Sequence, residues 1–132
     1  MFLHYLNTEE KNAFLELAHL IAMSNGVVDE KEQELIGAYC QEMGLPVGEA
    51  QLEQLKYDEI IQTFSSDQAK KVVFAEAVAL AFADGVYHLE QQELVAQIKD
   101  SFGFDDNYYD QVKAWVQKVN ETVVEGTQLV GI

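Results

Sequence analysis

The chain contains no arginine. Its 8 basic residues are all lysines, set against 23 aspartates and glutamates, for a net charge of −15 at pH 7. A surface this acidic repels phosphate, which argues against nucleic acid as a partner and against direct contact with anionic membranes. Proline occurs once, at Pro46, and glycine 8 times, which leaves little material for a linker in 132 residues. A single domain spanning 1–132 is the expectation, with roughly two-thirds of the extended chain's surface buried on folding. Cysteine also occurs once. Cys40 therefore has no disulfide framework to join, and its place in a stripe with Ile36, Tyr39 and Met43 reads as a small core hydrophobe rather than a nucleophile. Long apolar runs are missing too. The longest, Val72 to Ala83, is interrupted by Glu76 and falls short of the roughly 20 residues that a membrane span needs. The opening residues MFLHYLNTEE have no basic stretch and too short an apolar run for a signal peptide. The expectation is a soluble, cytoplasmic domain without direct membrane insertion.

Enzyme signatures are equally scarce. There is no phosphate-cradling glycine loop, no HExxH and no CxxC. His4, His19 and His88 are far apart in sequence, and His19, beside Glu16 on a helical stretch, reads as a surface or boundary residue. No nucleophile–base pair is visible, so the chain reads as non-catalytic. Glu76 is the one conspicuous acid outside the loops. In the middle of an apolar helix it calls for a partner, such as a tyrosine or lysine, more than it suggests catalysis.

What the chain has in abundance is helical periodicity. Asn7 or Thr8 can cap a first helix whose inner face is Phe14, Leu17, Ala18 and Ile21. Asn25-Gly26 stops it. Asp29 with Glu32 resembles a capping box and starts a second helix that ends near Met43-Gly44. Two short helices are expected at about 47–56 and 58–64, the second capped by Asp58. Ser66 can cap a long helix to about Ala83, apolar nearly all round and so suited to the middle of a bundle. Asp84-Gly85 ends it. The next helix, about 89–102, places Leu94, Val95, Ile98 and Phe102 inside. Asp105 caps a final helix with Tyr108, Val112, Trp115, Val116, Val119 and Val123 on one face. The tail 126–132 has no nameable partner and is expected to fray or lie on the surface.

Two of these stretches repeat each other. AMSNGVVDEKEQELIGAYCQEMGL, from Ala22 to Leu45, aligns without a gap on AFADGVYHLEQQELVAQIKDSFGF, from Ala81 to Phe104. The identical pairs are Ala22/Ala81, Gly26/Gly85, Val27/Val86, Gln33/Gln92, Glu34/Glu93, Leu35/Leu94 and Gly44/Gly103. Each copy is a helix-loop-helix hairpin that alone leaves an apolar face exposed. The expected architecture is an all-α compact bundle of about seven helices, built on two hairpins packed with pseudo-two-fold symmetry.

The pattern Ala-x-x-Asp-Gly-x-x-x-x-x-Glu-x-Glu-Leu-Ile, occurring twice in a helical domain of this length, resembles the TerB-like tellurite-resistance domain family. LNTEEKNAFLELAHLIAMSNGVVDEKEQELI and FAEAVALAFADGVYHLEQQELV carry the likeness, which covers roughly residues 5–120. The resemblance implies a non-catalytic domain linked to tellurite resistance or stress response, with a divalent metal held by acidic residues of the two loops. Carried over residue by residue, the first family aspartate falls on Asn25 and is replaced, while the second is kept as Asp84. The later glutamate is kept as Glu32 and becomes Gln91 in the second copy. Asp29 is matched by His88. One carboxylate of each pair survives, so the candidate metal ligands are Asp84, Glu32, Asn25, Asp29 and His88. Oxygen donors suit Ca²⁺ or Mn²⁺, and a His88 ligand shifts preference toward Zn²⁺. A calcium EF-hand is excluded, because Ile21 and Met23, and likewise Leu80 and Phe82, stand at its first ligand positions.

A plainer reading of the same residues is available. Asn-Gly and Asp-Gly are ordinary helix stops, and Asp29 and Glu32 are ordinary capping residues. On that reading the chain is a metal-free acidic protein-interaction module, presented to a basic partner or to a membrane-associated complex. The cluster Phe102, Phe104, Tyr108 and Tyr109, beside Asp105 and Asp106, is the expected anchor.

Overall fold

Side-chain capping bonds mark the starts of three helices. The computed structural model describes residues 1–24, 30–44, 55–82 and 88–132, with residues 31 and 32 described in backbone alone. A 3-10 turn at Leu3–Tyr5 leads into α1 (Thr8–Met23). The Asn7 side chain accepts from the Glu10 amide at 2.8 Å, and the Glu10 carboxylate accepts from the Asn7 amide at 2.9 Å. Two of the orphan donors at this helix end are thereby satisfied reciprocally. α2 (Glu30–Met43) runs into Gly44, whose φ of 73° is the left-handed conformation that glycine adopts without a Cβ penalty. Asp29, the expected cap of α2, lies outside the described residues.

α3 (Tyr57–Thr63) corrects a boundary. Its N-cap is Lys56, not Asp58, and Asp58 sits in the first turn with Glu59. Carboxylates there act on the positive end of the helix dipole rather than on a capping amide. The other short helix, expected at 47–56, falls almost wholly outside the described residues. α4 (Asp67–Ala81) begins at Ser66, whose hydroxyl accepts from the Ala69 amide at 3.0 Å. α5 (Leu89–Phe102) ends on Gly103, and Asp105 caps α6 (Asp106–Leu129) by accepting from the Tyr108 amide at 2.7 Å. α6 carries on through much of the expected tail as far as Leu129, and its last turns are exposed.

All regular structure among the described residues is helical, so the fold is all-α. No helix among them is long and apolar enough to cross a membrane. α4 is the central element, as its nearly continuous apolar run demands. It packs against α1, α5, α6 and the 3-10 turn. Val73, Phe74, Ala77, Val78 and Leu80 are fully enclosed, as are Phe14, Leu17, Ala18 and Ile21 of α1. α2 contributes Ile36, Tyr39, Cys40 and Met43, all buried, and burial pushes the Cys40 thiol pKa up. That fits a packing role, since a thiol held protonated is a poor nucleophile. α5 buries Val95, Ile98 and Phe102, with Leu94 only partly covered.

α6 is the exception. Its expected inner face ran from Tyr108 to Val123, yet only Val112 and Val116 are buried. Trp115 is 40 % and Val123 62 % exposed.

Candidate functional site

The structure locates the five residues of the sequence-derived metal site unevenly. Asn25, Asp29 and Asp84 lie outside the described residues, and Glu32 is described in backbone alone, within the first turn of α2. His88 occupies the N-cap position of α5 in extended backbone, half-buried. Among the described residues no three His, Cys, Asp or Glu side chains gather into a metal-holding group. One link between the two repeats is visible. Gln91, the counterpart of Glu32, is fully buried and donates from Nε2 to the Ile21 carbonyl at 3.4 Å, near the end of α1.

Glu76 has found partners that local sequence does not show. It is 5 % exposed. Its Oε1 accepts from the Met1 ammonium and from the Phe2 amide, both at 2.9 Å. The same ammonium reaches Glu42 on α2 at 2.9 Å. Burial alone would lower the ammonium pKa, but hydrogen bonds to Glu42 and Glu76, reinforced by their charges, raise it above its ordinary 8.0. Tyr39 completes the arrangement by donating its hydroxyl to the Glu76 backbone carbonyl at 3.2 Å. Its phenol pKa is pushed well up, first by burial and then by the Glu76 charge. The tyrosine expected beside Glu76 is thus present, though it bonds the backbone oxygen and not the carboxylate.

Beside this cluster lies a groove of about 500 Å³. α2 lines it with Glu34, Leu35, Ala38 and Tyr39, α4 with Glu76 and Ala79, and α6 with Trp115, Val116, Val119 and Asn120. Met1 lines it as well. Among the described residues of this lining, the charged groups are the Glu34 and Glu76 carboxylates and the Met1 ammonium. On the other side of Trp115 is a shallower hollow of about 220 Å³, with Phe2, Ala75, Tyr108 and Val112 in its wall. The Phe2 and Trp115 rings approach to 5.7 Å between centroids. Trp115 therefore stands as a partly exposed ridge between two apolar depressions. Partly exposed indole rings of this kind recur where proteins meet partners, because the ring offers large area at low conformational cost.

The aromatic cluster expected to anchor a partner packs partly inward, with Phe102 buried and Phe104, Tyr108 and Tyr109 half-buried. Phe104, Tyr108 and Tyr109 lie 5.3, 6.0 and 5.9 Å from the Phe74 ring, and Phe102 is buried 6.1 Å from Phe64. Asp105 is occupied as a helix cap, and Asp106 is ion-paired with Lys99. Sequence reasoning placed Trp115 on the inner face of α6 and so passed over it. The signal that could have found it was its rank as the one tryptophan of the chain on the least covered helix.

Glu16 and His19 show no catalytic arrangement. Glu16 is buried and accepts from the Leu55 amide at 3.0 Å, which ties the entry to α3 onto α1. His19 is half-buried, and burial lowers its pKa. Comparison with protein-family models, curated proteins and solved structures returns no match for this chain.

Proposed function

We propose that this chain is a non-catalytic helical interaction domain of the TerB-like kind, whose acidic surface receives a basic protein partner, alone or within a membrane-associated complex. One observation carries the reading. The groove between α2 and α6 leaves Trp115 partly exposed and Val119 half-covered, and Val123 further along α6 is exposed, on a domain of charge −15. Complementary charge steers such an encounter, and apolar contact holds it. The domain then acts by tethering, and a link to stress response or tellurite resistance would run through its partner. A lysine/serine peptide without an apolar face is the minimal probe. Binding should be measurable at about 20 mM salt, fall steeply by about 300 mM as screening shortens, and ignore chelators. If neither this peptide nor a cationic peptide with an apolar face binds at low salt, the reading is refuted.

A second reading is favoured by the Gln91–Ile21 hydrogen bond, which brings a loop-flanking position of one repeat to the helix end of the other. It supports two hairpins related by pseudo-two-fold packing. A divalent cation would then be held by Asp84 and Glu32 as anionic oxygens, Asn25 as a carbonyl donor, and Asp29 and His88 as helpers. With one carboxylate kept from each pair, the site carries less charge than a full acidic loop and binds more weakly. Chelator-treated protein should gain thermal stability with Ca²⁺, Mn²⁺ or Zn²⁺, by about 2.7 kcal/mol at a hundred times the dissociation constant. Asp84→Ala should abolish the gain. A flat melting temperature with all three at millimolar concentration rules this site out.

A further inference from the structure

The groove and the exposed half of α6 form a single apolar track. Val116, Val119 and Val123 recur along α6 at i, i+3 and i+7, which keeps them on one face of the helix, and the C-cap residue Val130 follows at i+14. Coverage falls steadily along that face. Val116 is 2 % exposed, Val119 is half-buried in the groove, and Val123 and Val130 are 62 % and 70 % exposed. From Trp115 to Val130 the track spans about 22 Å at 1.5 Å per residue, the length of roughly four helical turns. An amphipathic stripe of this kind is stabilised by something laid along it.

Charge decides what that something is. Glu34 is exposed on the α2 wall, Glu76 lies in the lining, and Glu42 stands beside Met1. The Met1 ammonium is the one positive group among them. A second copy of the chain would bring another −15 to the same face. A β-strand partner has no sheet edge to join among the described residues, whereas a helix laid into a groove needs only side-chain contacts.

We propose that this track is the docking site for a basic amphipathic helix of a partner protein, about four turns long. Its apolar face lies along Trp115, Val119, Val123 and Val130, and its lysines or arginines meet Glu34 on the groove wall within the acidic surface of the chain. The proposal rests on the interaction reading above and adds the place and the form of the ligand. It explains why the chain's one tryptophan is left partly in water and why α6 outruns the body of the bundle.

The test uses the full chain and three synthetic peptides of about 18 residues: an amphipathic leucine/lysine helix, a leucine/glutamate helix, and the lysine/serine peptide without an apolar face. Trp115 is the sole tryptophan, so its emission reports on the groove directly. The leucine/lysine helix should bind saturably, shift that emission to the blue, and bind at least about tenfold tighter than either other peptide. Glu34→Lys and Val123→Asp, both surface changes, should each weaken it about tenfold with helicity unchanged. Equal binding of both cationic peptides, unaffected by either variant, overturns the groove and leaves a diffuse acidic surface with the interaction reading intact. Failure of both cationic peptides to bind at low salt removes that reading as well. A dimer in sedimentation that Val123→Asp dissolves assigns the track to a second copy and overturns the proposal.

Discussion

Phe74→Ala should unfold this protein more readily than any other single truncation of a ring. The expected cost is about 3–5 kcal/mol, the usual range for deleting a buried phenylalanine ring. At this chain length that corresponds to a fall in melting temperature of roughly 10–20 °C. The magnitude follows from position. Phe74 is fully enclosed on the central helix, and Phe104, Tyr108 and Tyr109 all contact its ring. Each such aromatic pair is worth about 0.5–1.5 kcal/mol beyond the area it buries. Tyr108 and Tyr109 belong to the first turn of α6, and that helix otherwise buries only Val112 and Val116. Deleting the ring therefore loosens the anchorage of α6 as well as leaving a cavity. Phe74→Leu keeps much of the volume and should cost roughly 1–2 kcal/mol. Thermal melts followed by circular dichroism and by Trp115 emission separate the two effects. In Phe74→Ala the tryptophan signal should change before or together with global unfolding. A loss below about 1 kcal/mol would show that the cluster does not hold α6 as described.

The elements were largely legible because helix starts and faces are written locally. Asn7, Ser66 and Asp105 each cap through an amide three residues on, and the residues needed sit within one turn. Phe14, Leu17, Ala18 and Ile21 declare an inner face by spacing alone, and the structure buries all four. Asp58 is not the cap because α3 starts at Tyr57 with Lys56 as its N-cap, two positions earlier and without a side-chain capping bond that local sequence could announce. The surface was much harder to read. Periodicity tells which face of α6 is apolar but not whether enough neighbours exist to cover it. Trp115 and Val123 satisfy the pattern of a buried stripe and remain exposed, Trp115 beside the gap that α2 and α6 leave over α4 and Val123 beyond it along the helix. The same limit applies to Phe102, Phe104, Tyr108 and Tyr109. Their composition suits an interface equally well, and only the positions of Phe64 and Phe74, roughly 30 to 40 residues earlier, turn them toward the core.

Glu76 was recognisable as a misfit and unreadable as a contact, since its partners are 74 and 75 residues away. Its removal is the second large effect expected. Glu76→Ala leaves the Phe2 amide without its acceptor and the Met1 ammonium with Glu42 alone, for a cost of about 1–3 kcal/mol. Glu76→Gln retains an acceptor for the amide and loses the ion pair, so it should cost less, because the ammonium is more than half exposed and water screens it. pH distinguishes the two contributions. The ammonium pKa is raised on folding above its ordinary 8.0, so the folded state holds this proton more tightly than the unfolded chain. The stabilisation it supplies is fully present below pH 8.0 and is lost as pH rises through the higher folded value. The melting temperature of the chain bearing Met1 as a free amino terminus should therefore decline from about pH 8 upward. Glu76→Gln should flatten that decline relative to the parent, while lysine and tyrosine titrations common to both cancel in the difference. Parallel pH profiles for the two proteins would mean that the ammonium does not draw its stability from Glu76. The carboxylate's contribution would then reduce to the Phe2 amide, and the groove wall beside Trp115 would be held by hydrogen bonding alone.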